Sequence, residues 1–413
     1  MAYPDSKREC RINRKRRTLT TCHIVRYGSE NGESDIMTFN MKTAGKGFII
    51  FSTAALALWI VPWICAIITA KPFSAPFTMY SPILHDFTYI DRSGGKALKL
   101  IDSKGNVHGD EVQPLFYYMV LTGRGALPKE IDGHKITPEL VKKYRYSMSE
   151  KPQYVNAKPA PAQLLMESVP VRLELQDPEH AMIFHKDGLH IYEMNSNSED
   201  KAKTEAFTKA LAKIGFSFPA KLTSGNPTHR KEFDEGYLLT DSAGRLYQLK
   251  MTDGRPEARH FSSADSISIK YISIVEISSR EILGYVVDND NVFYVLRPSG
   301  ELIKTDAVWN PQKENLYISG DLLYHTIKAS DSDGERIYAL RTSDFSFENK
   351  MERRYDKPQS FNICRYILPF RLYFVSGNDS YVKPGVKDFS WAGTIVSILA
   401  ITGMIFWIRK HRA

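Results

Sequence analysis

The feature that most constrains this chain is a β-hairpin signature that recurs along it. Gly236 to Pro256 (GYLLTDSAGRLYQLKMTDGRP) shows it most fully. An apolar run, Tyr237 to Leu239, meets a turn with Asp241 and Gly244, then returns through Tyr247, Leu249 and Met251. Alternate residues of an extended strand point to opposite faces, so those three share an oily face, and Gln248 and Lys250 a wet one. The returning strand repeats as Tyr192-x-Met194, Tyr247-x-Leu249, Tyr294-x-Leu296 and Tyr338-x-Leu340. Before each stands a turn: Asp187-Gly188, Asp241 to Gly244, Asp290-Asn291 and Asp333-Gly334. Asp and Asn bond their own turn and Gly tolerates positive φ, so the turn chemistry repeats with the strand. Tyr192, Tyr247, Tyr294 and Tyr338, with Gly188, Gly244 and Gly334, therefore read as structural repeat positions, their rings packing in a core rather than forming a ligand platform.

The tyrosines are 55, 47 and 44 residues apart. A period of about 40–50 residues with two or more hairpins per unit is the pattern of propeller blades, although the same hairpins also fit a stacked or sandwich arrangement. Extending the period forward reaches Tyr381 after Asn378-Asp379, and extending it back reaches Leu98-x-Leu100, leaving room for six or seven units between residues 85 and 385. A gap near residue 145 counts against strict repetition. There, Thr137-Pro138-Glu139 reads as a helix start leading into LVKKYRYSM, and Lys151 to Pro161 as a Pro-punctuated loop. A second helix is expected over Asp200 to Ile214, where Ala202, Ala206, Phe207, Ala210, Leu211 and Ile214 form one stripe, with caps from residues 195–198 and a stop at Gly215.

Two stretches break the hairpin pattern. Gly47 to Ala70 holds 24 residues without a charge, and Phe389 to Ile408 another 20. At about 1.5 Å per residue, each crosses a hydrocarbon core of roughly 30 Å. The first exceeds the roughly 7–15 apolar residues of a cleaved signal peptide. Net charge is +8, which raises the possibility of a nucleic-acid partner, but its distribution argues otherwise. Residues 1–46 hold ten Lys/Arg against five Asp/Glu, and Arg409, Lys410 and Arg412 close the chain, so the intervening block is neutral. Positive ends flanking apolar spans are expected on the cytoplasmic side.

The expected organisation is a cytoplasmic basic tail (1–46), transmembrane helix (47–70), extracytoplasmic β-rich domain (71–388), second transmembrane helix (389–408) and cytoplasmic tail (409–413). Trp59, Trp63, Trp391 and Trp407 serve as interfacial anchors in membrane lipid, with Arg409, Lys410 and Arg412 holding the cytoplasmic end. The fold class is thus mainly β with a few helices: propeller-like repeated hairpins in an exported domain, flanked by two transmembrane helices of the inner membrane. Gly393 and Ser397 give the second span a small-residue face for the first span or for a partner's helices. Cys364 is the one cysteine in the exported block, so no internal disulfide is expected there. Residues 1–36 read as a solvated tail, with Met37 or Met41 as the expected translation start.

The sequence carries no GxSxG, HExxH, phosphate-binding glycine loop or CxxC. His180, His185 and His190 recur every five residues, but odd spacing points neighbouring side chains to opposite faces. Asp331-x-Asp333-Gly334-Glu335 departs from a calcium loop in the placing of its Gly and reads as a turn, as does Asp288 to Asn291. No catalytic, cofactor or metal residues are therefore assigned.

The stretches FTKALAKIGFSFPAKLTSGNPTHRKEFDEGYLLTDSAGRLYQLKM, REILGYVVDNDNVFYVL and LYISGDLLYHTIKASDSDGERIYAL resemble an uncharacterised family of membrane-anchored Bacteroidota proteins, grouped as a domain of unknown function. The resemblance extends over nearly all of the chain from Met41 and implies location and architecture, not chemistry. It also implies proximity to ABC-type export permeases. The expected function is that of a non-catalytic extracytoplasmic binding or scaffolding protein, accessory to an ABC transporter permease or ATPase. The alternative is a propeller-type hydrolase or lyase with its site in a central channel.

Overall fold

Each Asp- or Asn-containing turn folds its flanking strands into an antiparallel hairpin, and the hairpins assemble into successive sheets. The computed structural model describes residues 8–10, 22–25, 36–39, 41–69, 73, 75–91, 99–170, 174–356, 364–374 and 382–411. The chain divides into two units. One is Ser74–Asp356 with Ser376–Tyr381; the other groups Met1–Phe73, Lys357–Val375 and Val382–Ala413.

The first unit is mainly β, with five antiparallel sheets in propeller-like succession. The first sheet comprises Phe77–Ser81, Asp86–Asp91, Lys99–Asp102 and Val107–His108. The second is Ala162–Leu165, His180–Phe184, Leu189–Glu193 and Ser198–Glu199. The third is Leu222–Gly225, Tyr237–Thr240, Leu246–Thr252 and Arg255–His260. The fourth is Ile269–Ile274, Gly284–Asp288, Val292–Leu296 and Leu302–Val308. The fifth is Asn315–Gly320, Tyr324–Ser330, Gly334–Arg341 and Phe347–Arg354, extended beyond its first strand by Tyr146–Glu150.

Tyr192, Tyr247, Tyr294 and Tyr338 all lie on the third strand of their sheets, and Leu100 holds the equivalent strand of the first. The repeat is thus real, but the described residues contain five such sheets where six or seven units were expected. The doubled interval between the first two sheets is spent on short helices, including Tyr118–Gly123 and Pro138–Tyr144, and on the strand that joins the fifth sheet. Tyr381 and Leu98 lie outside the described residues.

Successive sheets share apolar cores. Ile191, Leu211, Tyr247 and Leu249 link the second and third sheets, and Leu238, Leu246, Val286 and Leu296 the third and fourth. Val287, Phe293, Ile318 and Tyr338 link the fourth and fifth, and Tyr80, Phe87, Tyr324 and Ile337 the fifth and first. The expectation of one wet face on the third sheet holds only at Lys250, which is half-exposed. Gln248 and Leu246 are buried with Tyr247 and Leu249, because a neighbouring sheet covers each side. Each fully buried large apolar side chain of these cores, such as Tyr247 or Phe293, contributes roughly 1.5–3 kcal/mol.

Helix α1, Lys201–Lys213, packs between the second and third sheets through Phe207 and Leu211. Its N-cap is Asp200, whose Oδ1 accepts the Lys203 N–H at 3.0 Å, rather than a residue of 195–198. Thr137 caps Pro138–Tyr144 as its sequence implies, through the Leu140 N–H at 3.3 Å. The expected loop at 151–161 contains one short helix, Pro152–Val155.

In the other unit, helix α2 spans Met41–Thr69 and helix α3 Trp391–Lys410. Among the described residues one helix, Gly45–Thr69, is long and apolar enough to cross a membrane, and Trp391–Gly403 is a shorter apolar stretch. The N-terminal segment, expected as a tail without structure, carries three short paired strands, Arg8–Cys10, Cys22–Val25 and Ile36–Phe39, the last two rich in residues that favour strands. The small-residue face of α3 is met by a segment of its own unit. Gly393 lies against the Leu368 backbone and Ser397 Oγ donates to the Ile367 carbonyl at 2.9 Å, so the segment around the short helix Cys364–Ile367 covers that face.

Candidate functional site

The first strands of the second, third and fourth sheets are each bonded along one edge only. Their other edges, with Glu150 and the helix Pro152–Val155, line a cavity of about 450 Å³. Its charged lining is Glu150, Lys158, Lys221 and Lys270. Lys270 Nζ donates to the neutral Asn291 Oδ1, and burial pushes its ammonium down, opposed by the nearby Asp288 and Asp290. Burial pushes the Glu150 carboxyl up, opposed by hydrogen bonds from the Tyr271 hydroxyl and the Lys151 N–H. Three lysines against one glutamate give this lining a net positive charge, which suits an anionic group. The lining contains one carboxylate and no histidine, so it presents no facing pair for acid–base work.

A larger cavity of about 780 Å³ lies at the second hairpin of the fifth sheet, and several of its charges have ion-pair partners. Arg336 meets Glu314 at 2.8 Å, Arg353 meets Glu335 at 2.5 Å, and Lys350 meets Glu352 at 2.6 Å. The most buried ion cluster bridges the third and fourth sheets. Lys231 Nζ contacts Asp234 at 2.5 Å and Glu276 at 2.6 Å, and Glu276 accepts the Glu235 N–H, so this group orders loops.

The repeat residues take structural positions. Tyr247 OH donates to the Gly215 carbonyl at 3.2 Å and Tyr294 OH to Asp288 at 2.9 Å, Tyr338 is buried, and Tyr192 is half-buried. Asp241 Oδ1 accepts the Ala243 and Arg245 N–H groups at 2.9 Å, and Gly244 follows at φ +90°. At Gly334 a Cβ would stand 2.5 Å from the Arg353 carbonyl, and at Gly188 2.7 Å from Thr208 Oγ1. Asp331 Oδ1 accepts the Asp333 and Gly334 N–H groups, which makes that sequence a hairpin turn.

Of the expected anchors, Trp63, Trp391 and Trp407 are exposed, and Trp59 meets Phe374 edge-on at 5.3 Å. Arg409 and Lys410 are exposed at the end of α3, and Arg412 lies outside the described residues. Strand alternation predicts His185 and His190 on opposite faces, yet their rings lie 4.7 Å apart because the turn folds one strand end over the other. His190 bonds Glu199 at 2.7 Å, and among the described residues no group of three or more His, Cys, Asp or Glu is arranged to hold a metal ion. Glu150, Lys221 and Lys270 escape sequence reasoning because they come from three sheets and share no local spacing.

No curated protein matches the sequence. A solved structure described as the Dos1 propeller is similar at 9% identity and a TM-score of 0.27, over 43% of this chain and 45% of that one, so the chain spans less than half its length. Apo AztD from Citrobacter koseri is similar at 9% identity and a TM-score of 0.26, over 87% of this chain and 73% of that one. Residues 77–340 match the family described as a domain of unknown function, DUF4857, and the chain belongs to that family.

Proposed function

We propose that this chain is a two-pass inner-membrane protein whose β unit is an extracytoplasmic, non-catalytic binding or scaffolding module, accessory to an ABC-type transporter. The observation that carries the reading is α2, where Phe48, Ile50, Phe51, Ile67 and Ile68 are exposed along a helix whose stretch Gly45–Thr69 is 25 residues long. Leaving such surface in water costs about 25 cal/mol per Å², which a bilayer removes. Helix α3 supports the second pass through exposed Ile398, Leu399, Ile401 and Phe406 ahead of Arg409 and Lys410. Excess Lys and Arg at both chain ends supports cytoplasmic termini. Closure of the five sheets into a ring belongs to the same reading, since it brings the two ends of the β unit together, as two spans in one membrane require.

The transporter partner rests on the sequence resemblance alone, which implies proximity to ABC-type export permeases. The cavity along the first strands is the module's expected ligand site, and its lysines favour an anion. A hydrolase or lyase in a central channel is the weaker reading, because that cavity offers a single carboxylate. Affinity purification of the detergent-solubilised chain tests the function. A permease or ATPase subunit is expected to copurify in stoichiometric amount, and recovery of the chain alone overturns the accessory role.

A further inference from the structure

Two thiols far apart in sequence meet in the unit of the terminal helices. Cys65 lies near the C-terminal end of α2, one helical turn beyond Val61, and Cys364 opens the short helix Cys364–Ile367. Both side chains are thiols here, and Cys364 is buried. The Cys364 Sγ lies 3.9 Å from the Val61 carbonyl oxygen and hydrogen-bonds the Cys65 thiol. Residues four apart share a helix face, so the sulfur sits on the face of α2 that carries Cys65. Neighbouring contacts hold this segment in place: Trp59 packs edge-on against Phe374, and Ser397 Oγ bonds the Ile367 carbonyl.

We propose that Cys65 and Cys364 form a disulfide in the mature protein, joining the end of α2 to the segment that leads into α3. The inference rests on the exported placement of the β unit, which puts the C-terminal end of α2 on the oxidising side of the membrane. In the reaction, one deprotonated thiol attacks the disulfide of a dithiol–disulfide oxidant and forms a mixed disulfide. The second thiolate displaces the oxidant's sulfur, so the S–S bond of the chain forms, two protons leave its thiols, and the oxidant departs as its reduced dithiol carrying both electrons. Cross-linking these residues encloses the whole β unit in one covalent loop.

The test is peptide mapping of the full chain from native membranes, alkylated before lysis and digested without reductant. A linked pair of peptides containing Cys65 and Cys364 is expected, lost on reduction and absent from C65S and from C364S. Purified wild-type chain in detergent, treated with oxidised glutathione, separates the two premises. Thiols that are reduced in native membranes but cross-link readily after purification would overturn the native disulfide and leave the contact, while protection of residues 72–386 from protease added to intact spheroplasts would separately overturn the exported placement. Thiols that never cross-link would overturn the contact itself, whatever copurifies with the protein.

Discussion

Asp321 and His325 are a buried acid and a buried base joined through one hydroxyl. Thr342 donates its hydrogen to the Asp321 carbonyl at 2.9 Å, so its oxygen can only accept from His325 Nδ1, also at 2.9 Å. The imidazole proton is thereby fixed on Nδ1, leaving Nε2 a buried acceptor without a protein partner. Burial pushes the Asp321 carboxyl up to about 6, against hydrogen bonds from the Tyr324, Leu323 and Phe116 N–H groups, and pushes the His325 imidazole down to about 3. The signs oppose. From pH 6 to pH 4 the folded state takes up a proton at Asp321 that stabilises it, while the unfolded state takes one up at His325, which removes stability. In D321N the amide oxygen still accepts the Leu323 and Tyr324 N–H groups, and the cost of a buried ionised carboxylate disappears. Unfolding free energy at pH 7 is expected to rise by on the order of 2 kcal/mol. Below pH 6 it should fall more steeply than in the wild type, because the loss at His325 is no longer offset. Denaturant titrations between pH 4 and 8 check this, and parallel profiles would contradict it. The turn role of Asp241 is legible in sequence because its turn partners, the Ala243 and Arg245 N–H groups, lie within four residues. The burial of Asp321 is not legible, because the Phe116 N–H that also meets its carboxyl lies far upstream in the chain.

At the scale of elements, three sheets place a tyrosine ring over a glycine on the facing strand. The pairs are Tyr237 over Gly225, Tyr146 over Gly320 and Tyr373 over Gly385. The missing side chain leaves room for the ring, which in turn shields the glycine backbone. A Cβ at Gly320 would run into the Tyr146 ring and approach His325 Nε2 at 2.7 Å. G320A is therefore expected to cost about 1–3 kcal/mol and to loosen the strand Tyr146–Glu150, read as faster amide exchange there. G123A, where a Cβ meets no neighbour, serves as the control. Unchanged exchange across 146–150 in G320A would refute the ring's role in holding that strand. The strand itself was hidden within an apparent helix, LVKKYRYSM. Arg145 turns extended and ends that helix, after which the strand pairs with Leu316–Gly320, far along the chain.

At the scale of the molecule, the sheets form a continuous series from the second through the third, fourth and fifth to the first, each step sharing a core. The proposed topology has its own consequence: protease added to intact spheroplasts should cut within residues 72–386, and protection there would reverse the orientation. By itself the sequence determined the hairpins, their third-strand tyrosines, the helix that packs on the second and third sheets, and the presence of long apolar segments. These features depend on neighbours within a strand, a turn or a helix, so their causes are written side by side. Tertiary structure alone decided that Gln248 of the third sheet is buried, that five sheets share the described chain, that three lysines line one cavity, and that Cys364 meets Cys65. Each of these depends on contacts between residues far apart in the chain, where strand period and turn chemistry name no partner and packing alone selects one.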